Sequence, residues 1–445
     1  LVSSSAASDV YKRQILHRDV HGVYVPGTEA SSEEMKSLAF AIDKAGEGTL
    51  EIVSDWLDKE IEMSWMREYV EKSDCGLTVL QTSGDAVKTI LFCEEQFLKG
   101  KNVRPQFPGR NVGMMFGLES SLHPFIGHPS YREIADLPLS ERVKIMKDPA
   151  FKEKLLNEKP NFASEIEKSM NEQGNTKSQE EIKEAANLGL KLISNYDTQF
   201  ILGDPPNYEP GKEDSIAALA KSKGIAELEV IYDEFLKNEG TNLVYACFTP
   251  YDNHKLDFVE RAYSLKSSVA GGSDGGAHCG LICDASMPTT NLSHWARDRE
   301  AGKKIPIELI VRKQTKDTAE TYGLFDRGEI KTGMLADLNI IDFEKLNVTH
   351  PKMVYDLPLG GRRLIQTSSG YLATVKSGEV VYEAGEATGV LPGKLIRGKQ
   401  TCEVKTEKER VPFIDRTLRL MSVKAFKLLW NFRKSSVKTT VVSDD

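Results

Sequence analysis

Asp274 has the sequence surroundings that most favour catalysis. Residues 267–286 read SSVAGGSDGGAHCGLICDAS, so a short apolar run ends in two glycines, and two more glycines follow Ser273 and Asp274. Glycine tolerates tight loops in which a Cβ atom would be crowded, and the pattern predicts a carboxylate held at the end of a strand. The alternative is a Gly-rich turn whose Asp stabilises its own backbone.

Two more polar residues follow on the same loop. His278 comes four residues after Asp274, and Asp284 precedes a stretch with helical periodicity. Because Asp is a favoured N-cap residue, Asp284 is predicted to cap a helix that runs from Ala285 onward.

The elements that would position these residues alternate regularly. Ser31 and Glu34 have the spacing of a capping box that opens a first helix. Further helices are predicted between strands at residues 49–53, 77–80 and 103–107. The alternation predicts a parallel sheet with helices outside it, and these units with the strand before Gly271 would fill half of an eight-stranded barrel. In such barrels, catalytic groups lie at the C-terminal ends of the strands.

Three stretches resemble the amidohydrolase superfamily, specifically its N-acyl-D-amino-acid deacylase (D-aminoacylase-like) branch. The motif SDGGAH…CDAS within residues 267–286 resembles the last barrel strand of that superfamily. Residues 328–342 are similar to the return from barrel to β-sandwich, and residues 356–397 resemble the end of that sandwich. The resemblance implies an α/β fold with a partial TIM-like (β/α)8 barrel of the amidohydrolase type and a small β-sandwich domain.

The resemblance also implies a reaction, the metal-dependent hydrolysis of the amide bond of N-acyl-D-amino acids, and this activity is expected to be incomplete in this chain. Asp274 would take a proton from a metal-bound water, return it to the leaving amine, and also be a candidate metal ligand. A divalent metal, which the resemblance identifies as zinc, lowers the pKa of bound water, and a nearby carboxylate then acts as general base. The partner would be a small-molecule N-acyl amino acid.

Three other residues are candidates for this site. Arg110 follows a predicted strand and would pair with the carboxylate of the substrate, unless it is a surface arginine. His278 would bind the substrate or stabilise the oxyanion, with packing of its own loop as the alternative. Asp55 would be a metal ligand or would orient the substrate, with a helix N-cap as the alternative.

The strand ends depart from the superfamily pattern. Ser54-Asp55 and Gln81-Thr82 stand where amidohydrolases offer metal-binding histidines, and neither H-x-H nor H-E-x-x-H occurs among the eight histidines. Neutral imidazole is a far better zinc ligand than a hydroxyl or an amide. Because the resemblance begins in mid-barrel at Ile15, we expect the other metal ligands to belong to an N-terminal part that is missing from this chain.

The sequence divides into four predicted regions. Residues 1–14 are predicted to be a non-native or disordered leader, and residues 15–325 the C-terminal part of the barrel, with an insertion at about 118–265. Residues 326–398 are predicted to be a β-sandwich remnant, and residues 399–445 a basic amphipathic tail. The insertion is a candidate lid, although its charge runs also fit solvated helix faces. Its histidines are predicted to be structural, namely His123, His128 and His254.

Composition excludes some functions. The chain has 58 Lys and Arg against 66 Asp and Glu, a net charge of −8, which does not favour nucleic acid. No apolar run approaches the roughly 18 residues of a membrane helix. The six cysteines form no disulfide framework and predict a reducing, cytoplasmic location. Cys279 and Cys283 lack the further ligands of a zinc site and are interpreted as small buried residues.

The tail carries one amphipathic stretch. Residues 411–434 place apolar side chains on one helical stripe and basic side chains elsewhere. Such a helix can make weak contact with a membrane surface or a partner protein. Packing against its own protein is the alternative.

Two other functions remain open from the sequence. A cyclic amide or hydantoin hydrolase would use the same scaffold with a different substrate. A non-catalytic family member or fragment would keep the fold for binding or assembly, as Ser54 and Gln81 at the strand ends suggest. Metal analysis together with an amide-hydrolysis assay separates these functions.

Overall fold

A computed structural model describes most of the chain. The described residues are 10–13, 27–28, 30–46, 48–54, 56, 58–81, 87–162, 187, 189–273, 275–276 and 278–401. They belong to two compact units, the first comprising residues up to Tyr322 together with Leu346–Ser369, and the second Gly323–Lys345 together with residues from Gly370 onward. The predicted amphipathic stretch at 411–434 lies outside the described residues.

A parallel sheet organises the first unit. Its strands, in spatial order, are β1 (Val10–Arg13), β2 (Thr49–Ser54), β3 (Gly76–Leu80), β4 (Val103–Pro108) and β8 (Val269–Gly271). Every neighbouring pair is parallel. The predicted parallel sheet is therefore confirmed, and closure into a (β/α)8 barrel stays a proposal. Strand β1 lies within residues 1–14, the range predicted to be a leader.

Three helices connect the first strands. They are α1 (Ser32–Ala45), α2 (Lys59–Lys72) and α3 (Val87–Leu98). The hydroxyl of Ser31 accepts a hydrogen bond from the Glu34 amide at 3.2 Å, as the capping pattern predicts. One face of the sheet packs on these helices through a core of buried side chains, which includes Met35, Ile52, Trp65, Met66, Tyr69, Leu77, Val79 and Val103.

An antiparallel sheet forms a second core in the same unit. Its strands, in spatial order, are β5 (Val112–Phe116), β7 (Val244–Thr249) and β6 (Gln199–Ile201), and both neighbouring pairs are antiparallel. The helices of this region are α4 (Pro129–Arg132), α5 (Leu139–Met146), α6 (Pro149–Asn157), α7 (Ile216–Lys223) and α8 (Glu227–Phe235). Most of the predicted insertion is therefore a packed body with its own apolar core.

One helix precedes β8 in the chain, and three helices follow it. They are α9 (Asp257–Ser264), α10 (Met287–Ser293), α11 (Ile307–Gln314) and α12 (Lys316–Thr321), and a π-helical turn at His294–Asp298 extends α10. The ammonium group of Lys313 donates to the carbonyls of Leu265 (2.6 Å) and Ser268 (2.7 Å). Glu94 accepts from the Ser267 amide at 2.9 Å. These bonds fix the segment that enters β8.

Short antiparallel strands complete both units. In the first unit, β10 (Asn347–Val348) pairs with β13 (Ser368–Ser369), and β11 (Lys352–Leu357) pairs with β12 (Gly361–Ile365). In the second unit, β9 (Leu338–Ile341), β14 (Tyr371–Lys376), β15 (Glu379–Glu383) and β16 (Glu386–Ala387) form one antiparallel sheet in the order β16-β15-β14-β9. The range 326–398 was predicted as one remnant domain, but residues 346–369 belong to the first unit. A β-sandwich therefore stays a proposal.

Single-turn 3-10 helices lie between these elements, at Tyr196–Thr198, Lys212–Asp214, Asn238–Gly240, Asp252–His254, Phe343–Lys345 and Pro358–Gly360. Among the described residues, no helix is long and apolar enough to cross a membrane.

Candidate functional site

The carboxyl ends of β4 and β8 lie side by side. Pro108 at the end of β4 is paired in register with Gly271 at the end of β8. The loops that carry Arg110 and Ser273 therefore leave the sheet at the same edge, where parallel α/β proteins place their sites. Asp274 itself lies outside the described residues, and its predicted proton-transfer role stays a prediction.

Close backbone packing explains the glycines before Asp274. A Cβ atom on Gly271 would lie 2.6 Å from Oε1 of Gln106, and one on Gly272, whose φ is +77°, would lie 3.1 Å from the side chain of Pro108. The predicted crowding is thus confirmed on this side of Asp274. After Asp274, a Cβ on Gly276 would meet nothing within 4 Å, and its φ of +97° is what favours glycine there.

Helix α10 and the π-helical turn that extends it fix the turn that follows β4. The indole Nε1 of Trp295 donates to the Gly109 carbonyl at 2.6 Å. A Cβ atom on Gly109 would lie 1.7 Å from the side-chain oxygen of Asn291, so only glycine fits. The backbone immediately before Arg110 is therefore held against the helix that follows the Asp274 loop.

Arg110 is fully buried, so the surface-arginine alternative is wrong. Its Nη2 donates to the Cys283 carbonyl at 2.8 Å and to Oδ1 of Asp284 at 3.2 Å. Its guanidinium carbon lies 3.6 Å from the ring centre of Tyr208. Burial opposes the charge of Arg110, but Tyr208 and Asp284 outweigh burial and hold its pKa above the usual value. Arg110 thus ties β4 to the far end of the loop after β8.

Asp284 does not cap the following helix as predicted. Helix α10 begins at Met287, and its N-cap position is Ser286. The carboxylate of Asp284 is buried and pairs with Arg110 instead. Asp is a common N-cap, but a buried guanidinium competes for the same carboxylate, and that partner is 174 residues away in the sequence.

Tyr208 belongs to the same cluster as Arg110 and Asp284, and the sequence did not predict this. Its hydroxyl accepts a hydrogen bond from Nε2 of Gln366 at 2.9 Å, and the oxygen of the same amide accepts from the Ser286 hydroxyl. Burial raises the pKa of Tyr208, and the charge of Arg110 partly offsets this rise. No spacing in the sequence links Tyr208, Gln366 and Arg110, because the fold brings them together from separate loops.

A buried ion network holds the segment next to Tyr208. The carboxylate of Glu209 accepts from Nε2 of His294 at 2.8 Å and from Nε and Nη2 of Arg299, each at 3.0 Å. Arg299 also pairs with Glu260 of α9 and stacks on Trp295, with 4.3 Å from its guanidinium carbon to the ring centre. Although burial alone would raise it, the pKa of Glu209 is lowered to about 2 by His294 and Arg299.

Acid should therefore destabilise the protein through Glu209. Its folded-state pKa of about 2 lies below the ordinary value of 4.5, so its stabilising contribution is complete above pH 4.5 and is lost as the pH falls towards 2. The contribution is about 3 kcal/mol. We expect Glu209→Gln to flatten the fall in unfolding free energy between these pH values, as measured by urea denaturation across pH.

Glu213→Gln is the matched control, since Glu213 is an exposed carboxylate nearby. Its unfolding free energy should fall with acid as in the parent protein. An acid dependence that is the same in the Glu209 variant and the parent would contradict the assignment.

Of the two other candidate residues, the structure describes His278 but not Asp55. His278 is exposed, with a left-handed φ of 49°, and its carbonyl accepts from the amides of Leu281 and Ile282. Its role in substrate binding stays a prediction. Asp55 lies outside the described residues, and its role stays a prediction; the N-cap of α2 is Asp58.

The described strand ends do not fit a metal. At the end of β2, the Ser54 hydroxyl donates to Glu62 at 3.0 Å. At the end of β3, Gln81 is buried, and neither atom of its amide has a hydrogen-bond partner among the described residues. In this part of the chain, no three His, Cys, Asp or Glu side chains are grouped to hold a metal ion.

The insertion histidines have structural contacts. His123 is buried edge-on against Tyr131, 4.8 Å between ring centres, and burial lowers its pKa to about 3. Nδ1 of His128 lies 3.1 Å from the Leu155 carbonyl, and Nε2 of His254 lies 2.8 Å from the Asp197 carbonyl. These contacts agree with the predicted structural roles.

The cysteines next to the loop behave as small packed residues. Cys283 is buried, and burial raises the pKa of its thiol to about 11. Cys279 is half-buried, and its thiol donates to the Gly276 carbonyl at 3.0 Å. Neither belongs to a group of metal ligands among the described residues.

Comparison with known proteins links part of the chain to one family. The family described as Amidohydrolase family matches residues 206–382, which include Asp274, His278 and Asp284. No curated protein matches the sequence.

Several solved structures are similar to this chain. A D-aminoacylase is 16% identical, with a TM-score of 0.40, over 82% of this chain and 59% of that one. A second D-aminoacylase structure, from work on its binuclear metal centre, has a TM-score of 0.41. An N-acyl-D-glutamate deacylase from Bordetella bronchiseptica, complexed with zinc and a phosphonate inhibitor, is 15% identical over 85% of this chain and 60% of that one, with a TM-score of 0.40. This chain thus spans about three fifths of each of these proteins.

Proposed function

We propose that the protein hydrolyses the amide bond of N-acyl-D-amino acids, releasing a carboxylate and a D-amino acid. The observation that carries the proposal is the amidohydrolase family match over residues 206–382, because this range contains β8 and the whole loop around Asp274. The substrate class rests on the resemblance of residues 267–286 and 328–342 to the D-aminoacylase-like branch.

Asp274 is the proposed proton carrier. Water adds to the amide carbonyl carbon while Asp274 accepts its proton, and the C–N bond then breaks as the same proton passes to the leaving nitrogen. The adjacent ends of β4 and β8 support this placement, since the loop begins at the sheet edge where such sites form. The resemblance also implies a divalent metal, to which no step is assigned.

His278 and Arg110 are the proposed substrate-binding residues. His278 is exposed on the loop that contains Asp274. A substrate carboxylate at Arg110 would have to use Nε and Nη1, because Nη2 already donates to Asp284 and Cys283. Neither Nε nor Nη1 has a hydrogen-bond partner among the described residues.

The five described cysteines are free thiols, which supports the proposed cytoplasmic location.

The direct test is an assay of the purified chain on paired N-acetyl-D- and N-acetyl-L-amino acids, with and without added zinc, reading the release of free amine. We expect release from the D series and little from the L series. Hydrolysis of hydantoin or dihydrouracil instead would favour a cyclic amide hydrolase. A folded protein that binds the added zinc and releases amine from none of these compounds would contradict the proposal.

A further inference from the structure

A cavity of about 220 Å³ lies in the first unit, lined by residues for which the proposed reaction has no role. Three segments line it, namely residues 117–120 after β5, residues 240–243 leading into β7 and residues 350–353 leading into β11. Leu364 of β12 completes the wall. All of these residues are in the same compact unit, so the cavity is a property of that unit.

The cavity wall offers hydrogen-bond donors that the protein does not use. Lys352 is exposed, and its ammonium group has no hydrogen bond or ion pair with any described residue. Ser120 is buried, and its hydroxyl has no hydrogen-bond partner in the described part of the chain. An acceptor supplied by a ligand would satisfy both donors. His350, which also lines the cavity, is held through Nδ1 by the Pro351 carbonyl at 2.8 Å.

The charges around the cavity favour an anion. Glu119 is the one acidic residue of its lining, and it already accepts a hydrogen bond from the Tyr355 hydroxyl at 2.6 Å. Arg142 is buried behind the wall, and its Nη1 donates to the carbonyl of Leu118, a lining residue, at 2.6 Å. Arg142 and Lys352 against the single carboxylate of Glu119 leave an excess of positive charge, which attracts anions.

The rest of the wall sets the size and the polarity of a ligand. Leu243 and Leu364 are buried, and Met353 is half-buried, so part of the wall is aliphatic. The cavity volume of about 220 Å³ lies below the roughly 300–1,000 Å³ of pockets that take drug-sized ligands. This is the size of a short-chain acid, and it is small for a drug-sized ligand.

We propose that this cavity binds a small monocarboxylate with a short aliphatic chain. The carboxylate pairs with the ammonium group of Lys352, and the chain packs against Leu243, Met353 and Leu364. The site is independent of the proposed hydrolysis, so binding is measurable whether or not the protein cleaves amides.

Isovalerate is the probe, titrated into the protein by calorimetry and NMR. Isopentylamine and isopentyl alcohol share its hydrocarbon chain and differ in charge. We expect isovalerate to bind up to about fivefold more tightly than either, because the ammonium group of Lys352 pairs with its carboxylate but is exposed to water, which weakens the pair. Lys352→Met should weaken isovalerate binding by a similar factor, while Lys352→Arg should keep most of the affinity.

Lys221→Met is the matched control, since Lys221 is exposed on α7 and does not line the cavity. It should leave isovalerate binding unchanged. Thr241→Trp places a large ring at the cavity wall from an exposed position and should abolish binding without a loss in melting temperature. The proposal is overturned if isopentylamine binds better than isovalerate, if Lys352→Met binds as tightly as the control, or if isovalerate does not bind.

Discussion

Replacing Asp274 with asparagine should lower kcat for amide hydrolysis by about 10²–10⁴-fold and leave the protein folded. Asparagine has nearly the shape of aspartate but cannot accept the proton of the attacking water. Because the amide can still make hydrogen bonds to a substrate, KM should change far less than kcat. Steady-state kinetics on the best N-acetyl-D-amino acid, with circular dichroism melting in parallel, measures both effects.

The matched control for this variant is Asp257→Asn, an exposed carboxylate in the first turn of α9. It should keep the parent kcat and melting temperature. If the parent protein hydrolyses the substrate and Asp274→Asn does so equally fast, Asp274 is not the proton carrier although the hydrolase assignment stands. If the parent protein binds zinc and is inactive, the functional proposal itself fails.

The α/β framework could be predicted because its signals are local. The hydroxyl of Ser31 caps α1 three residues ahead of Glu34, and the apolar runs at 49–53, 77–80 and 103–107 form parallel strands. Such patterns depend on helix and strand periodicity, which a single sequence contains. The glycines before Asp274 were also informative, since Gly271 and Gly272 are crowded by the end of β4.

The packing around the strand ends could not be predicted because it depends on distant partners. Asp284 follows the N-cap rule locally, yet its carboxylate pairs with a guanidinium 174 residues away. Tyr208 stacks on the same guanidinium from a third segment. Strands β11 and β12 belong to the first unit, although residues 326–398 were predicted to form one domain. Burial and charge pairing decided these positions, and neither leaves a periodic pattern.

A stability measurement tests whether Arg110 holds the loop after β8 in place. Arg110→Met should lower the free energy of unfolding by about 3–5 kcal/mol, because it leaves the buried carboxylate of Asp284 without its guanidinium. The double variant Arg110→Met/Asp284→Asn should recover much of that loss, since the amide carries no charge. Urea denaturation at pH 7 measures all three proteins.

The control is Arg363→Met, because Arg363 pairs with Asp356 at 2.7 Å but both side chains are about half exposed. Exposed pairs contribute about 0–1 kcal/mol, so this variant should unfold almost like the parent. An Arg110→Met protein as stable as the parent would contradict the positioning role. A raised KM with an unchanged kcat would support the proposed binding of the substrate carboxylate by Arg110, and an unchanged KM would contradict it. Loss of stability, with recovery in the double variant, would mean that Arg110 acts by holding the loop after β8 in place.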